Sequence, residues 1–325
     1  MNFSQTKTLI ERTQSEKFRQ VLRIIERTKN ANVPILILGE TGTGKELIAR
    51  LIHSKSRQNR IFVDINCSAV PESLLESEFF GHKKGAFTGA NQTKIGLIEQ
   101  AHNGTLFLDE IGYMSLEAQA ILLKAIETKS FRRVGGLDEI KSEFRLICAT
   151  NVDIINSDVF RKDLLYRIGV IKIELPPLRE RKEDIPYLVD YYVKKFAFDF
   201  QRKPPEISQS VIAQLINYDW PGNIRELKNV ICQALLMSNG KVENVLLKER
   251  KANEIKLDEL METEENEISE ILDLNQLERA AILKALILKH WRQKDAAKLL
   301  NITPRALNHK IASHKITNPN WRTNK

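Results

Sequence analysis

Cysteine is scarce in these 325 residues: there are three, Cys67, Cys148 and Cys232, widely spaced and without a paired motif. That excludes a disulfide framework and a zinc site, and predicts buried thiols. Long apolar runs are also missing. None approaches the roughly 20 residues that a membrane-spanning helix requires, and the opening MNFSQTKTLIERTQSEKF lacks the apolar stretch of a signal peptide. The expectation is a cytoplasmic protein with no membrane segment. No repeat of solenoid period is present, and an apolar fraction of 42% excludes disorder as the general state. The length suits two or three domains, each able to bury a core.

The net charge of +8 says less than its distribution. Residues 254–273, EIKLDELMETEENEISEILD, hold nine acids against one lysine, whereas residues 289–325 hold nine Lys or Arg against the single acid Asp295. An acidic, solvated linker followed by a basic C-terminal module fits that segregation. A basic face alone is as readily a solvated surface as a nucleic-acid site.

The first two hundred residues alternate apolar runs with amphipathic stretches, the pattern of an α/β fold with a mostly parallel sheet. Strands are expected at Ile35–Leu38, Ile61–Ile65, Thr105–Leu108, Phe144–Ala149 and Val170–Glu174. Helical periodicity covers Phe18–Arg27, Lys45–Ser54, Leu116–Glu127 and Ile185–Phe200. After Pro176 and Pro177 the strands stop, and helices punctuated by KPPE and DWPGN suggest a separate helical subdomain.

GETGTGKE (Gly39, Glu40, Thr41, Gly42, Thr43, Gly44, Lys45, Glu46) follows the strand ILIL and opens a helix. Its glycines let successive backbone N–H groups face a phosphate, the helix N-terminus adds partial positive charge, and Lys45 reaches the terminal phosphates. Glu46 stands where a phosphate loop usually has a Ser or Thr that ligates Mg2+. The apolar strand TLFLDEI then ends in Asp109 and Glu110. Strand alternation points them in different directions, so they take different jobs: Asp109 suits Mg2+ coordination, and Glu110 suits polarising the water that attacks ATP.

Between these sites lies GHKKGAFTGA, in which Gly85 and Gly89 bracket Ala86, Phe87 and Thr88 ahead of Ala90. Read alone, Phe87 tucks into the core, as large apolar side chains mostly do. The set GETGTGKE, GAFTGA, TLFLDEI, FRKDLLYRI, LPPLRER and WPGNIREL resembles the central AAA+ domain of bacterial sigma-54-dependent transcription activators over roughly residues 8–240. The resemblance makes Glu46 usual for its position. It also implies that Asn66 is a switch residue holding Glu110, that Thr150 and Asn151 form sensor I, and that Arg225 is sensor II. Arg161 and Arg167 become arginine fingers supplied to a neighbouring subunit, a contribution of about 10³ to 10⁵ in rate. It further implies that Gly85, Ala86, Phe87, Thr88, Gly89 and Ala90 contact sigma-54. Without the resemblance, Arg161 and Arg167 read as members of local salt bridges, Arg225 as a partner of Glu226, and Asn66 as a turn or cap residue.

Residues 274–319 read as a three-helix unit, with Leu277, Ala281, Ala285 and Leu288 at helical spacing for a core. In RQKDAAKLLNITPRALNHKI, Asn301 suits a left-handed turn, Thr303 an N-cap and Pro304 the first helical position. That is helix-turn-helix punctuation, and the unit resembles the Fis-type module that often ends sigma-54 activators. Arg305, Asn308 and His309 are expected to read bases; Lys294, Lys298 and Lys310 are expected on phosphates. Such units normally dimerise on half-sites about one helical turn apart.

The expected organisation is a tail (1–7), an AAA+ P-loop NTPase domain (8–240) with a parallel-sheet core (8–175) and helical lid (176–240), an acidic linker (241–273), an all-α helix-turn-helix domain (274–319) and a tail (320–325). Only about thirty residues precede the first strand, so no sensory domain is expected ahead of it. The expected function is an ATPase, acting as dimers assembling into a hexameric ring on double-stranded DNA. It remodels sigma-54 RNA polymerase holoenzyme into an open complex, with ATP and Mg2+ as cofactors. The alternatives are a DNA-binding regulator that keeps the domain without remodelling sigma-54, and a helicase or clamp loader, which has no need of GAFTGA.

Overall fold

The computed structural model describes residues 9–57, 59–238 and 240–247 and, further on, 279, 282, 283, 285–287, 289, 291–300, 302–314 and 316. The chain divides into two compact units, Met1–Leu247 and Lys248–Lys325. Both expected tails, the acidic run and the expected core positions Leu277, Ala281 and Leu288, as well as Asn301, lie outside the described residues. Among the described residues, no helix is long and apolar enough to cross a membrane.

The first unit is built on five parallel strands: β1 (Ile35–Leu38), β2 (Phe62–Asn66), β5 (Thr105–Asp109), β8 (Arg145–Thr150) and β9 (Ile171–Glu174), in the order β2-β5-β8-β1-β9. Alternation splits their side chains between two faces. Ile35, Ile37, Phe107, Ile147 and Ile173 pack against α1 (Glu16–Thr28) and α2 (Lys45–Arg57). Leu36, Leu106, Leu108, Leu146 and Cys148 pack on the other side against α3 (Glu72–Phe80), α5 (Leu116–Thr128) and α6 (Lys162–Ile168). The result is an α/β sandwich of three layers. Three expected strands begin one residue later than their apolar runs, because Ile61 and Val170 are half exposed at the sheet margin and Phe144 precedes the first paired residue, Arg145.

Register brings the carboxyl ends of the strands to one edge: Leu38 beside Thr150, and Asn66 beside Asp109. In open α/β sheets that edge is where ligands bind. Cys67 and Cys148 are buried as expected, but Cys232 is only half-buried.

Two hairpins add to the expected elements. One is β3 (Gly81–His82) with β4 (Lys94–Ile95), followed by the single turn α4 (Leu97–Gln100); the other is β6 (Ser130–Arg132) with β7 (Glu139–Lys141). Beyond β9 the chain is mainly helical: α7 (Ile185–Asp199), α8 (Gln209–Asn217) and α9 (Asn223–Met237), with a two-strand pair, β10 (Glu206–Ile207) and β11 (Lys241–Val242). These helices close around Trp220, whose indole N–H donates to the Leu215 carbonyl at 2.8 Å.

In the second unit, α10 (Gln293–Leu299) and α11 (Pro304–Ser313) bury Ala296, Ala297, Leu307 and Ile311 together with Ile282, Ala285 and Leu286.

Candidate functional site

The phosphate loop connects β1 to α2 and wraps around Lys45, which is 7% exposed. Its Nζ donates to the Gly39 carbonyl at 3.0 Å and lies 3.6 Å from Glu110 Oε1. Gly42 has a φ of +82°, and a Cβ there would sit 2.4 Å from the Gly222 carbonyl oxygen of the lid. Only glycine lets the loop pass so close. Glu46 pairs with Arg50 on the surface of α2, at 2.9 Å.

Asp109 closes β5, and Glu110 is the left-handed residue after it, at φ +53°. The strand ends at Asp109, so strand alternation does not set the direction of Glu110, whose backbone turns left-handed instead. The Glu110 N–H donates to Asp109 Oδ1 at 3.0 Å, and Glu110 Oε2 accepts the Asn151 N–H at 3.2 Å. Burial, reinforced by the neighbouring Glu110 charge, holds the Asp109 carboxyl above the usual range. Asn151 also donates through Nδ2 to Thr41 Oγ1 at 2.9 Å, so the end of β8 grips both Glu110 and the phosphate loop.

Asn66 lies beside Asp109 in register, yet its Oδ1 accepts from the backbone and hydroxyl of Ser68, at 2.9 and 2.7 Å. Among the described residues it makes no hydrogen bond to Glu110, because the short Asx turn captures its side chain first. The arginines differ from one another. Arg161 is paired with Asp163 through Nε and NH2, at 3.1 and 2.7 Å. Arg167, one turn and a half later on α6, is exposed and has no ion pair among the described residues. Arg225 is exposed and not paired with Glu226, whose carboxylate instead accepts from the Gly222 N–H and the Tyr218 hydroxyl.

Three features were missed from the sequence. The first is an apolar cleft beside Thr43 and Gly44, walled by Ile10, Phe18, Leu47, Tyr192 and Ile224. Arg181 stacks over the Phe18 ring there, 4.5 Å from its centroid, and burial holds its guanidinium down to about 10. The second is Asn223, fully buried with φ +51°, which joins the lid to Glu40 and Thr41. The third is the β6–β7 hairpin, whose tip supports GAFTGA: Val134 bridges Gly81 and Lys83 through its backbone, and Gly135 lies against Ala86. Only the VGG turn in FRRVGGLDEIK hinted at it.

The GAFTGA segment is the tip of the β3–β4 hairpin. At its base, Gly81 and Gly96 are forced by close packing, since a Cβ on Gly81 would meet the Lys94 carbonyl at 2.2 Å. At the tip, Gly85 and Gly89 have open space around them, and their φ of +82° and +103° accounts for them. Phe87 is 40% exposed and leans edge-on against His82, with ring centroids 5.0 Å apart. It is not a core residue; the Gly85 N–H donates to the Ala90 carbonyl at 2.9 Å and closes the loop that carries it. Thr88 is exposed, and Ala90 is buried.

In the second unit, Thr303 Oγ1 caps α11 by accepting from the Ala306 N–H at 3.2 Å. Lys294, Lys298, Arg305, Asn308 and His309 are exposed, and Lys310 is half-buried.

A family model, the sigma-54 interaction domain, matches residues 12–174. The chain belongs to the sigma-54 interaction domain family. An AAA+ ATPase lid domain matches residues 179–262 of this sigma-54 interaction protein, and the Fis family of bacterial regulatory proteins matches residues 273–314. It is 40% identical to the regulatory protein AtoC of Escherichia coli over 94% of its length and 67% of that relative. It is 43% identical to the Nif-specific regulatory protein of Azotobacter vinelandii, covering 92% of the chain but only 57% of that relative. Among solved structures, NtrX from Brucella abortus in complex with ATP superposes with a TM-score of 0.66 at 30% identity, over 94% of this chain and 69% of that one.

Proposed function

We propose that this protein is an ATP-driven transcription activator that remodels sigma-54 RNA polymerase holoenzyme into an open complex from a DNA site upstream. The observation that carries the reading is a GAFTGA tip with exposed Phe87 and Thr88, mounted on the segment between Asn66 and Asp109. Chemistry at the strand ends and contact at the tip thus share one stretch of chain.

ATP fits with its base in the apolar cleft and its phosphates on the loop around Lys45. Adjacent carboxylates beside a lysine suit an ion that takes one or two protein oxygens and completes its shell with phosphates and water. Asp109, its charge penalised by burial, fits that role for Mg2+, which supplies charge neutralisation on the transferred phosphoryl group. Glu110, oriented by Asn151, polarises the attacking water. Arg225 approaches the phosphates from the lid. Asn66 is a switch whose Ser68 bonds exchange for Glu110 in another nucleotide state.

Arg167 completes the site of a neighbouring subunit, with Arg161 beside it steadied by Asp163. A site completed in trans requires a ring, read here as a hexamer assembled from DNA-bound dimers. In the C-terminal unit, Arg305, Asn308 and His309 read base edges in the major groove; Lys294 and Lys310 hold phosphates, and Thr303 sets the helix start. Acting on polymerase and DNA, the protein would work in the cytoplasm. The test is reconstituted open-complex formation with sigma-54 polymerase, with and without ATP. Open complexes only with ATP support the reading, whereas hydrolysis and DNA binding without open complexes identify a regulator that does not remodel.

A further inference from the structure

The two ends of the phosphate loop are held by different parts of the first unit. Lys45 is tied to the sheet through Glu110, whereas Glu40, Thr41 and Gly42 are tied to the lid. Arg179 donates through both terminal guanidinium nitrogens, to Glu40 Oε2 at 2.9 Å and Oε1 at 2.5 Å. Asn223 Nδ2 donates to Glu40 Oε2 at 3.0 Å and to the Thr41 carbonyl at 3.1 Å. The Ile224 N–H donates to the Gly42 carbonyl at 3.0 Å.

Asn223 has no freedom of its own. It is fully buried, and its Oδ1 accepts the Leu178 N–H at 2.7 Å. Leu178, its partner, and Leu227, on the same helix, belong to the lid core with Trp220. Any displacement of the lid therefore pulls on Glu40 and Thr41. Thr41 carries the pull onward, because its hydroxyl accepts from Asn151, which also holds Glu110.

Glu40 is thus aimed at the lid and away from the phosphate side of its loop. We propose that Glu40 is a positioning residue, and that the Arg179–Glu40–Asn223 strap makes the shape of the phosphate loop, and with it ATP affinity, depend on where the lid sits. The pair is half exposed, with side chains 40% and 42% accessible, so it adds little to global stability. A bidentate fork fixes direction strongly all the same. Removing it acts on the loop's geometry more than on folding.

The proposal rests on the ATPase reading, and the wild-type control separates the two. The experiment uses the full chain with Glu40→Gln, Arg179→Lys and the double variant, measuring Kd for ATP and ADP, kcat, KM and Tm. Each single change is expected to weaken ATP binding and raise KM by about 5- to 10-fold, a typical coupling between sites. Turnover at saturation is expected to fall by less than about 3-fold, the signature of lost binding geometry. The double variant is expected to be no worse than the weaker single, since both changes break one strap. Unchanged ATP affinity in both singles, or losses that multiply in the double, overturns the strap. So does a drop in Tm that accounts for lost turnover at unchanged Kd. A wild-type chain that neither binds nor hydrolyses ATP overturns the ATPase reading and the strap with it.

Discussion

Lys45 Nζ and Glu110 Oε1 lie 3.6 Å apart, with side chains only 6% and 17% exposed. An ammonium and a carboxylate thus meet where solvent is largely excluded and electrostatic effects are strong. Glu110→Gln keeps an acceptor for the Asn151 N–H and removes the charge proposed to polarise water. ATP binding is expected to persist while turnover falls about 10²- to 10⁴-fold, the usual range for a lost general base. Phosphate release and equilibrium nucleotide binding, measured together, check it; ordinary turnover removes Glu110 from the chemistry.

Asp109 predicts a pH dependence of stability. Its carboxyl is held above the usual range, first by burial and then by Glu110. A raised folded-state pKa means that its stabilising contribution is complete below the unfolded value and is lost as pH rises through the folded one. Asp109→Asn, which keeps an acceptor for the Glu110 N–H, is therefore expected to raise Tm near neutral pH. The gain shrinks as pH falls toward 4, and hydrolysis is lost. A lower Tm at neutral pH refutes this account.

Exposure at the hairpin tip predicts a separation of functions. Thr88→Ala removes nothing from the core, so stability is expected to stay within about 0.5 kcal/mol and ATPase within about 2-fold. Open-complex formation with sigma-54 polymerase is expected to disappear. Retained activation removes the tip from partner contact.

Arg167 on α6 allows a complementation test. Arg167→Ala is expected to hydrolyse ATP at least about 10³-fold more slowly than wild type, the range for an arginine finger, and Glu110→Gln about 10²- to 10⁴-fold more slowly, as for a lost general base. When the two are mixed, a site with intact Glu110 can meet a neighbour with intact Arg167, and turnover is expected to return. No recovery in assembled mixtures shows that Arg167 acts within its own subunit.

Arg305, near the start of α11, is expected to contribute about 1–3 kcal/mol of base discrimination. Arg305→Ala is expected to weaken binding to a specific site by 10-fold or more while leaving ATPase without DNA unchanged. Lys298→Ala is expected to weaken all sequences alike and lower the salt slope by about one. Binding isotherms at several salt concentrations separate the two cases.

Much of this was legible in residue order because the signals are local. Apolar runs ending in Gly-rich or acidic segments gave the five strands to within one residue, and Gly39 to Lys45 announced a phosphate loop through composition alone. Asn223 was not legible. It reads as a turn residue after Pro-Gly, and its bonds run to Glu40 and Thr41, 183 and 182 positions away. The apolar cleft failed for the same reason, since Ile10, Leu47 and Tyr192 come from three distant segments. Asn66 bonds locally to Ser68, as a turn residue does, whereas its contact to Glu110 is implied by the family resemblance alone.

Sequence by itself determined which residue types stand at the ends of the strands and at the hairpin tip, because spacing along a strand, a helix start or a glycine turn is a property of neighbouring residues. The tertiary structure alone decided which of them meet. Packing brought Asn151 to Glu110 and to Thr41, buried Asn223 against Glu40, and aimed Glu40 at the lid. Those choices depend on chain segments far apart in sequence, brought together by the burial of two apolar faces of one sheet and the closing of three helices around Trp220.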